Sequence, residues 1–480
     1  MSTNGVHNKG FALVLVATTD RPSSFANLAT DLIEAAERAP LPLALGIVEN
    51  SRLARSRDQN RETVGQLRSR GIEVAVSEAS PGGLPIDESR RRQRELLQSL
   101  VECGRRPMFV WMLDDDLRLA RATVRNGALS HEKLSDPLGG LMTMALNPAR
   151  PDVLVGTVHG DPPIPAMATW ASRVDDIVAN LQRMIELGPD SAWPSDPATV
   201  TALSEPDYYY DYGCHPAHDV PAFWLPRDAE QRTSAALREL LAEAMYLPCG
   251  VGLTRPLVAN AKSTSVSDGT PPNILGPAQV RGGNTIFFDV GACLAHEYPF
   301  LRLADVRTRR ADSVGLCALR AVRGGRIVSS DFALLHARDR DLNELPDTEG
   351  LARHLIADTL GAGLTRAASG SDEESLSAFL RTRARRIDAS LARLHSAIAR
   401  LRQLAAHAPC WVEEAGLHEL VHDPNGALSW LERTVPGLTA GCLPEPARAA
   451  LLTPSVAHDL VHFVSREMGL KEAKSLERSR

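Results

Sequence analysis

No run of 18 apolar residues occurs anywhere in the 480-residue chain, which excludes a membrane-spanning helix. No Cys-x-x-Cys pair occurs either. The seven cysteines are scattered and odd in number, which speaks against a disulfide framework and for a reducing compartment. An excess of cationic charge is also missing, with 53 Lys+Arg against 59 Asp+Glu, and this argues against a protein held to nucleic acid by phosphate neutralisation. Neither G-x-G-x-x-G after the first apolar segment nor G-x-x-x-x-G-K-[ST] occurs, against a dinucleotide-binding dehydrogenase and a P-loop NTPase. The polar opening MSTNGVHNKG lacks the pattern of a signal peptide, so a cytoplasmic location is expected. What is present, 44% hydrophobic and 23% charged residues, is the composition of an ordinary folded protein.

The first 120 residues alternate between two periods. Residues 11–19 (FALVLVATT) form a near-continuous apolar run, as expected of a strand buried on both faces. Pro22 breaks it, and Phe25, Leu28, Leu32, Ile33 and Ala36 then fall at helical spacing. Strands are predicted again at 43–48, 73–77 and 108–113, with helices at about 53–70 and 87–103 between them. Strands joined by crossover-length helices imply a parallel α/β sheet. In such sheets ligands bind beyond the carboxyl ends of the strands. Those ends are polar here: Thr18 to Arg21, then Glu49-Asn50, then Asp114-Asp115-Asp116.

Three carboxylates in a row after an apolar strand are costly unless a positive group sits among them. Alternate residues of an extended chain share a face, so Asp114 and Asp116 are expected to converge, with Asp115 turned away. Mn2+ or Mg2+, shared with substrate phosphates, is the natural partner.

At this point the sequence resembles the GT-A glycosyltransferases, in a family-2-like arrangement. The series is a strand with a polar loop, a strand ending in an acidic-Asn-Ser turn, and a hydrophobic strand ending in D-x-D. The resemblance returns at 281–338 with Gly282-Gly283-Asn284, Ala311-Asp312, Gly325-Arg326-Ile327 and Leu334-Leu335-His336. It implies a mostly parallel sheet flanked by helices and transfer of a sugar from a nucleotide-sugar donor to a hydroxyl or amine acceptor. Thr18, Arg21, Glu49, Arg90, Arg91, Arg94, Asp114 and Asp115 would bind the donor. Asp116, Asp114 and His336 would hold the metal. Asp312, or Asp305 if the alignment is displaced, would be the base, giving inversion. The family's "ED" reads Ala-Asp here, a departure that touches the choice of base.

The resemblance covers a domain at about 8–340, with an insertion at about 160–280 on the acceptor side. Five of the six tyrosines and four of the six tryptophans lie between 111 and 246. Trp170 and Tyr209, with Gly283 and Asn284, are therefore candidates for contact with a small-molecule or glycan acceptor. Cys214, His215, His218 and Asp219 have the ligand types of a zinc site but no second cluster.

From about 341 the chain turns helical. Ser371-Asp372-Glu373-Glu374 reads as a capped start. Leu376 to Leu404 then carries an apolar stripe suited to intramolecular packing or to a dimeric coiled coil, which makes a homodimer possible. His418-Glu419-Leu420-Val421-His422 matches the zinc-peptidase pattern H-E-x-x-H, though Asp423-Pro424 ends the helix at once, and His458 and His462 repeat the spacing. The alternatives to a glycosyltransferase are thus a nucleotidyltransferase at the same nucleotide–metal site, a scaffold dimerising through the long helix, and a zinc peptidase.

Overall fold

The structure is a computed structural model and describes residues 10–125, 128–160, 167–193, 224–225, 231–247, 269–278, 281–303, 306–324, 326–337, 345–439 and 454–467. The first half-sheet forms as the periodicities predict. Strands β1 (Ala12–Thr18), β2 (Leu43–Glu49), β3 (Glu73–Glu78) and β4 (Phe109–Asp114) alternate with helices α1 (Pro22–Arg38), α2 (Ala54–Ser69) and α3 (Ile86–Glu102). Every residue of β1 and β2 is buried, which is why both read as continuous apolar runs.

The rest of the sheet comes from β5 (Leu117–Arg118), β8 (Val153–Gly160), β9 (Ile274–Pro277), β10 (Asn284–Phe287) and β13 (Ile327–His336). Their order is β3-β2-β1-β4-β10-β8-β13-β5, with β9 also on β13. Strands β1 to β4, β8 and β13 run in one direction; β10 is antiparallel to both its neighbours. This is the expected mostly parallel sheet flanked by helices. A hairpin of β6 (Ala120–Arg125) and β7 (Ala128–Lys133) and a small ribbon of β11 (Arg302–Leu303) and β12 (Val306–Arg307) stand apart from it.

Further helices among the described residues include α4 (Pro137–Leu146), α5 (Met167–Leu187), α6 (Thr233–Ala244), α7 (Val290–Ala295), α8 (Ala311–Arg323), α9 (Thr348–Ala368), α10 (Glu373–Ala405), α11 (His418–His422), α12 (Ala427–Thr439) and α13 (Pro454–Glu467). Asp372 caps α10, its side chain accepting from Ser375 N at 2.8 Å. The stripe Leu376, Leu380, Ile387, Leu391, Leu394, Ile398 and Leu401 is buried inside the chain, on α5, α9, α12 and α13. Intramolecular packing thus takes up the face that a coiled-coil homodimer would have used.

One hydrophobic core joins Trp170, Val174 and Leu181 of α5 and Leu237 and Leu241 of α6 to Leu391 and Leu394 of α10 and Leu431 of α12. The described helices of the inserted stretch therefore pack with the C-terminal helices. Trp170 is fully buried, edge to face with Trp430 at 5.4 Å between ring centroids, and presents no surface to an acceptor. Tyr209 and the 214–219 cluster lie outside the described residues.

Candidate active site

Strand ends bring the predicted residues to one edge of the sheet. Pro22 opens α1, where its missing N–H costs nothing. The Arg21 side chain makes no cap and instead reaches Asp116, with Nη1 2.8 Å from Oδ2. His336, at the end of β13, places Nε2 2.9 Å from the same oxygen. The strand register fixes that meeting: His336 pairs with Leu117, and Ala337 N donates to Asp116 O at 2.9 Å. Both side chains are nearly buried, Asp116 at 4% and His336 at 9% exposure.

Asp115 turns the other way. Its Oδ2 accepts from Thr19 N at 2.7 Å and from Thr19 Oγ1 at 2.9 Å, tying the end of β4 to the end of β1. Burial, then the neighbouring Asp116 charge, pushes its carboxyl up to about 7 against the pull of Arg21 and Thr19. It is a strap, not a donor-facing group. Asp114 does not join Asp116 as alternation suggested, because β4 ends at Asp114 and the chain turns. Its Oδ1 instead accepts from Arg90 Nη2, and its other oxygen lies against the Cα of Gly283, where a Cβ would come within 2.0 Å. A side chain at Gly283 would therefore displace this carboxylate.

Among the described residues no three His, Cys, Asp or Glu side chains are grouped so as to hold a metal. Asp116 and His336 nevertheless fit as a two-point anchor, one oxygen and one nitrogen donor, for a cation that takes its other ligands from phosphate and water.

Asp312 lies in the first turn of α8 with its side chain 22% exposed. Arg281 Nη1 stands 2.5 Å from its Oδ1 and Arg90 Nε 3.8 Å from its Oδ2. The Arg281 side chain is fully buried, with Nη2 3.0 Å from Met112 Sδ and the guanidinium 5.5 Å from the Tyr298 ring centroid. Burial disfavours a charged Arg90, but Asp114 and Asp312 outweigh it and hold the guanidinium firmly protonated. Beside them His296 is fully buried with neither ring nitrogen in an aligned hydrogen bond. Burial, then Arg281, Arg94 and Arg90, drives its pKa well below the ordinary value, so it is neutral.

The other predicted residues have different places. Thr18 is fully buried, its Oγ1 3.4 Å from Val48 O, so it does not face a ligand. Glu49 turns back on its own loop, accepting from Ser51 N at 2.8 Å. Arg94 braces the loop after α7 through His296 O at 3.2 Å and Glu297 at 2.7 Å, and Arg91 points to solvent. Asn284 is fully buried: it accepts from Trp111 Nε1 at 2.9 Å and donates to Phe332 O at 2.9 Å. It joins β4, β10 and β13 rather than touching an acceptor. Asp305 lies outside the described residues.

His418 and His422 have ring centroids 4.5 Å apart on the exposed side of α11, and His458 and His462 lie 6.0 Å apart on α13. Among the described residues neither pair has the third ligand that a zinc peptidase requires. Two residues of this site, Arg281 and His296, are not singled out by the sequence alone, whereas Thr19 lies in the polar strand end expected to face the ligand edge. Arg281 carried a signal, being the charge immediately before the Gly282-Gly283 pair that leads into an apolar strand.

No protein-family model matches the chain, and no curated protein matches it. Among solved structures it is similar to the mannosyltransferase PcManGT from Pyrobaculum calidifontis in complex with GDP-Man and Mn2+. That match has 10% identity and a TM-score of 0.36, covering 95% of this chain and 87% of the other. It is also similar to S. aureus TarS 1–349, with 12% identity and a TM-score of 0.31, covering 98% and 92%.

Proposed function

We propose that the chain is a glycosyltransferase that moves a sugar from a nucleotide-sugar donor to a hydroxyl or amine of a small-molecule or glycan acceptor. The observation that carries this reading is the meeting of Asp116 and His336 at 2.9 Å, with Asp114 and Asp312 joined through Arg90 on the same edge of the sheet. Arg21 and His336 orient the Asp116 carboxylate toward the donor's diphosphate. A divalent cation held by Asp116 and His336, Mn2+ or Mg2+, would neutralise the diphosphate as it departs. Asp312 takes the proton from the acceptor hydroxyl. The freed oxygen bonds the anomeric carbon while the bond from that carbon to the phosphate oxygen breaks, its electron pair leaving with the nucleoside diphosphate. Attack opposite the leaving group inverts the anomeric centre.

Thermal-shift screening of UDP-, GDP- and dTDP-sugars with Mn2+ identifies the donor, and product mass then distinguishes sugar transfer from nucleotide transfer. Asp116→Ala and His336→Ala are expected to abolish transfer while the thermal melt stays cooperative. Full activity in both variants would sink the proposal.

A further inference from the structure

The reaction proposed above leaves a question about its base. A carboxylate has two oxygens, and a base works best when one is committed to the protein and the other is presented to the acceptor. Asp312 is asymmetric in this sense. Its Oδ1 is 2.5 Å from a guanidinium with no solvent exposure, whereas its Oδ2 has only a 3.8 Å approach from Arg90 Nε. Arg90 Nε, Arg281 Nε and Arg281 Nη1 make no aligned hydrogen bond, so the Oδ1 contact is an ion pair whose strength depends on where Arg281 is held.

Besides Asp312, Arg281 is held by two side chains that are themselves bonded to each other. Met112 Sδ of β4 lies 3.0 Å from Nη2, the Tyr298 ring lies under the guanidinium, and Tyr298 OH itself donates to the same sulfur at 3.4 Å. The neutral His296 stacks edge to face on Tyr298 at 4.7 Å. Gly315, one turn below Asp312 on α8, lets the helix sit against this wall: a Cβ there would come within 1.9 Å of Glu297 O and 2.9 Å of His296 Cε1. A buried guanidinium fixed by soft and aromatic partners is costly for stability alone. Among the described residues its ion-pair partner is the proposed base.

We infer that Arg281 is a positioning residue: it pins Oδ1 of Asp312 and leaves Oδ2 as the atom that receives the acceptor's proton. Arg90, bonded to Asp114 and near Oδ2, ties that arrangement to the donor side. The inference rests on the transferase reading. Lysine does not replace Arg281, because one ammonium cannot reach Asp312 and Met112 while lying on the Tyr298 ring.

The test is a double-mutant cycle on the full chain, with Arg281→Met, Arg281→Lys, Arg281→Ala, Asp312→Asn and the double variant Arg281→Met with Asp312→Asn. Initial rates are paired with calorimetric binding of the donor's nucleoside diphosphate in Mn2+. Arg281→Met is expected to lower kcat by about a hundredfold, as a displaced reacting group does, with nucleotide Kd changed less than about threefold. In the Asp312→Asn background the same substitution is expected to be silent. Added methylguanidinium is expected to restore part of the rate of Arg281→Ala and none of that of Asp312→Asn. A full-strength Arg281 effect in the Asp312→Asn background overturns the inference, as does an equal loss of nucleotide binding. If Arg281→Met does not fold, Arg281→Lys carries the cycle, and wild-type kcat in that variant overturns the inference. Wild-type protein that binds nucleotide but transfers no sugar defeats the transferase reading instead.

Discussion

Two carboxylates on either side of one helix start are each flanked by two arginines, yet they are bonded differently. Asp358 on α9 is gripped fork to fork by Arg310, with Nε–Oδ1 2.8 Å and Nη2–Oδ2 3.0 Å, and by Arg383 Nη2 at 2.7 Å. Burial alone would raise its pKa, but Arg310 and Arg383 outweigh burial and hold it far below the usual carboxylate range. Arg310, the residue just before α8, makes this fork from the left-handed conformation, φ 65°, an unfavourable geometry for a residue with a Cβ. Asp312, two residues on, has one close ion pair, one long one and a partly exposed face. The difference separates a clamp from a reactive group. At Asp358 both oxygens are used to join the C-terminal helices to α8, whereas at Asp312 one oxygen is left uncommitted.

The comparison can be broken most directly at Asp312. Asp312→Asn should lower kcat roughly a thousandfold, within the range for a lost general base, with a melt that stays cooperative but moves down because the buried Arg281 loses its charged partner. Wild-type rates in Asp312→Asn would erase the distinction. Asp358→Asn should leave kcat unchanged below the melt and cost about 2–3 kcal/mol of stability at pH 7, because two largely buried arginines each lose a charged contact. Its pH dependence has a definite sign. The folded-state pKa is depressed, so the Asp358 contribution is complete above the unfolded value of about 4 and is lost as pH falls below it. Denaturant melts of wild type and Asp358→Asn should therefore converge in acid; a constant gap would refute the clamp.

Gly315→Ala should show a mixed effect, about 1–3 kcal/mol of destabilisation from overpacking and roughly tenfold slower turnover as α8 shifts Asp312 from Arg281. Normal turnover would mean that the wall does not set the position of Asp312. The smallest effect is expected at Arg91, which is exposed: Arg91→Gln should change stability by less than about 0.5 kcal/mol and nucleotide affinity by less than about twofold. A larger loss of affinity, read by calorimetry, would restore Arg91 to the donor site.

How much of this was legible follows from the physics of each signal. Strands β1, β2 and β4 were readable because burial on both faces leaves an unbroken apolar run. Asp116 and His336 were readable as a pair only through the order of motifs, because the long stretch between them carries no local trace of their contact. Asp115 and Asn284 misled for a common reason: a polar side chain at a strand end reads the same whether it faces ligand or fastens two strands. Trp170 misled because aromatic clustering marks a core as readily as a binding face. Arg281 was missed because its partners, Met112, Tyr298 and Asp312, come from three separate segments.

The shared core of α5, α6, α10 and α12 has a consequence for how the molecule can vary. The tail is not an attachment that can be shed where the sequence changes character. A chain ended after the last sheet strand would present Trp170, Val174, Leu181, Leu237 and Leu241 to water, a surface that aggregates rather than dissolves. The middle stretch and the tail must be gained, lost and diversified together, although strands β9, β10 and β13 lie between them in the chain.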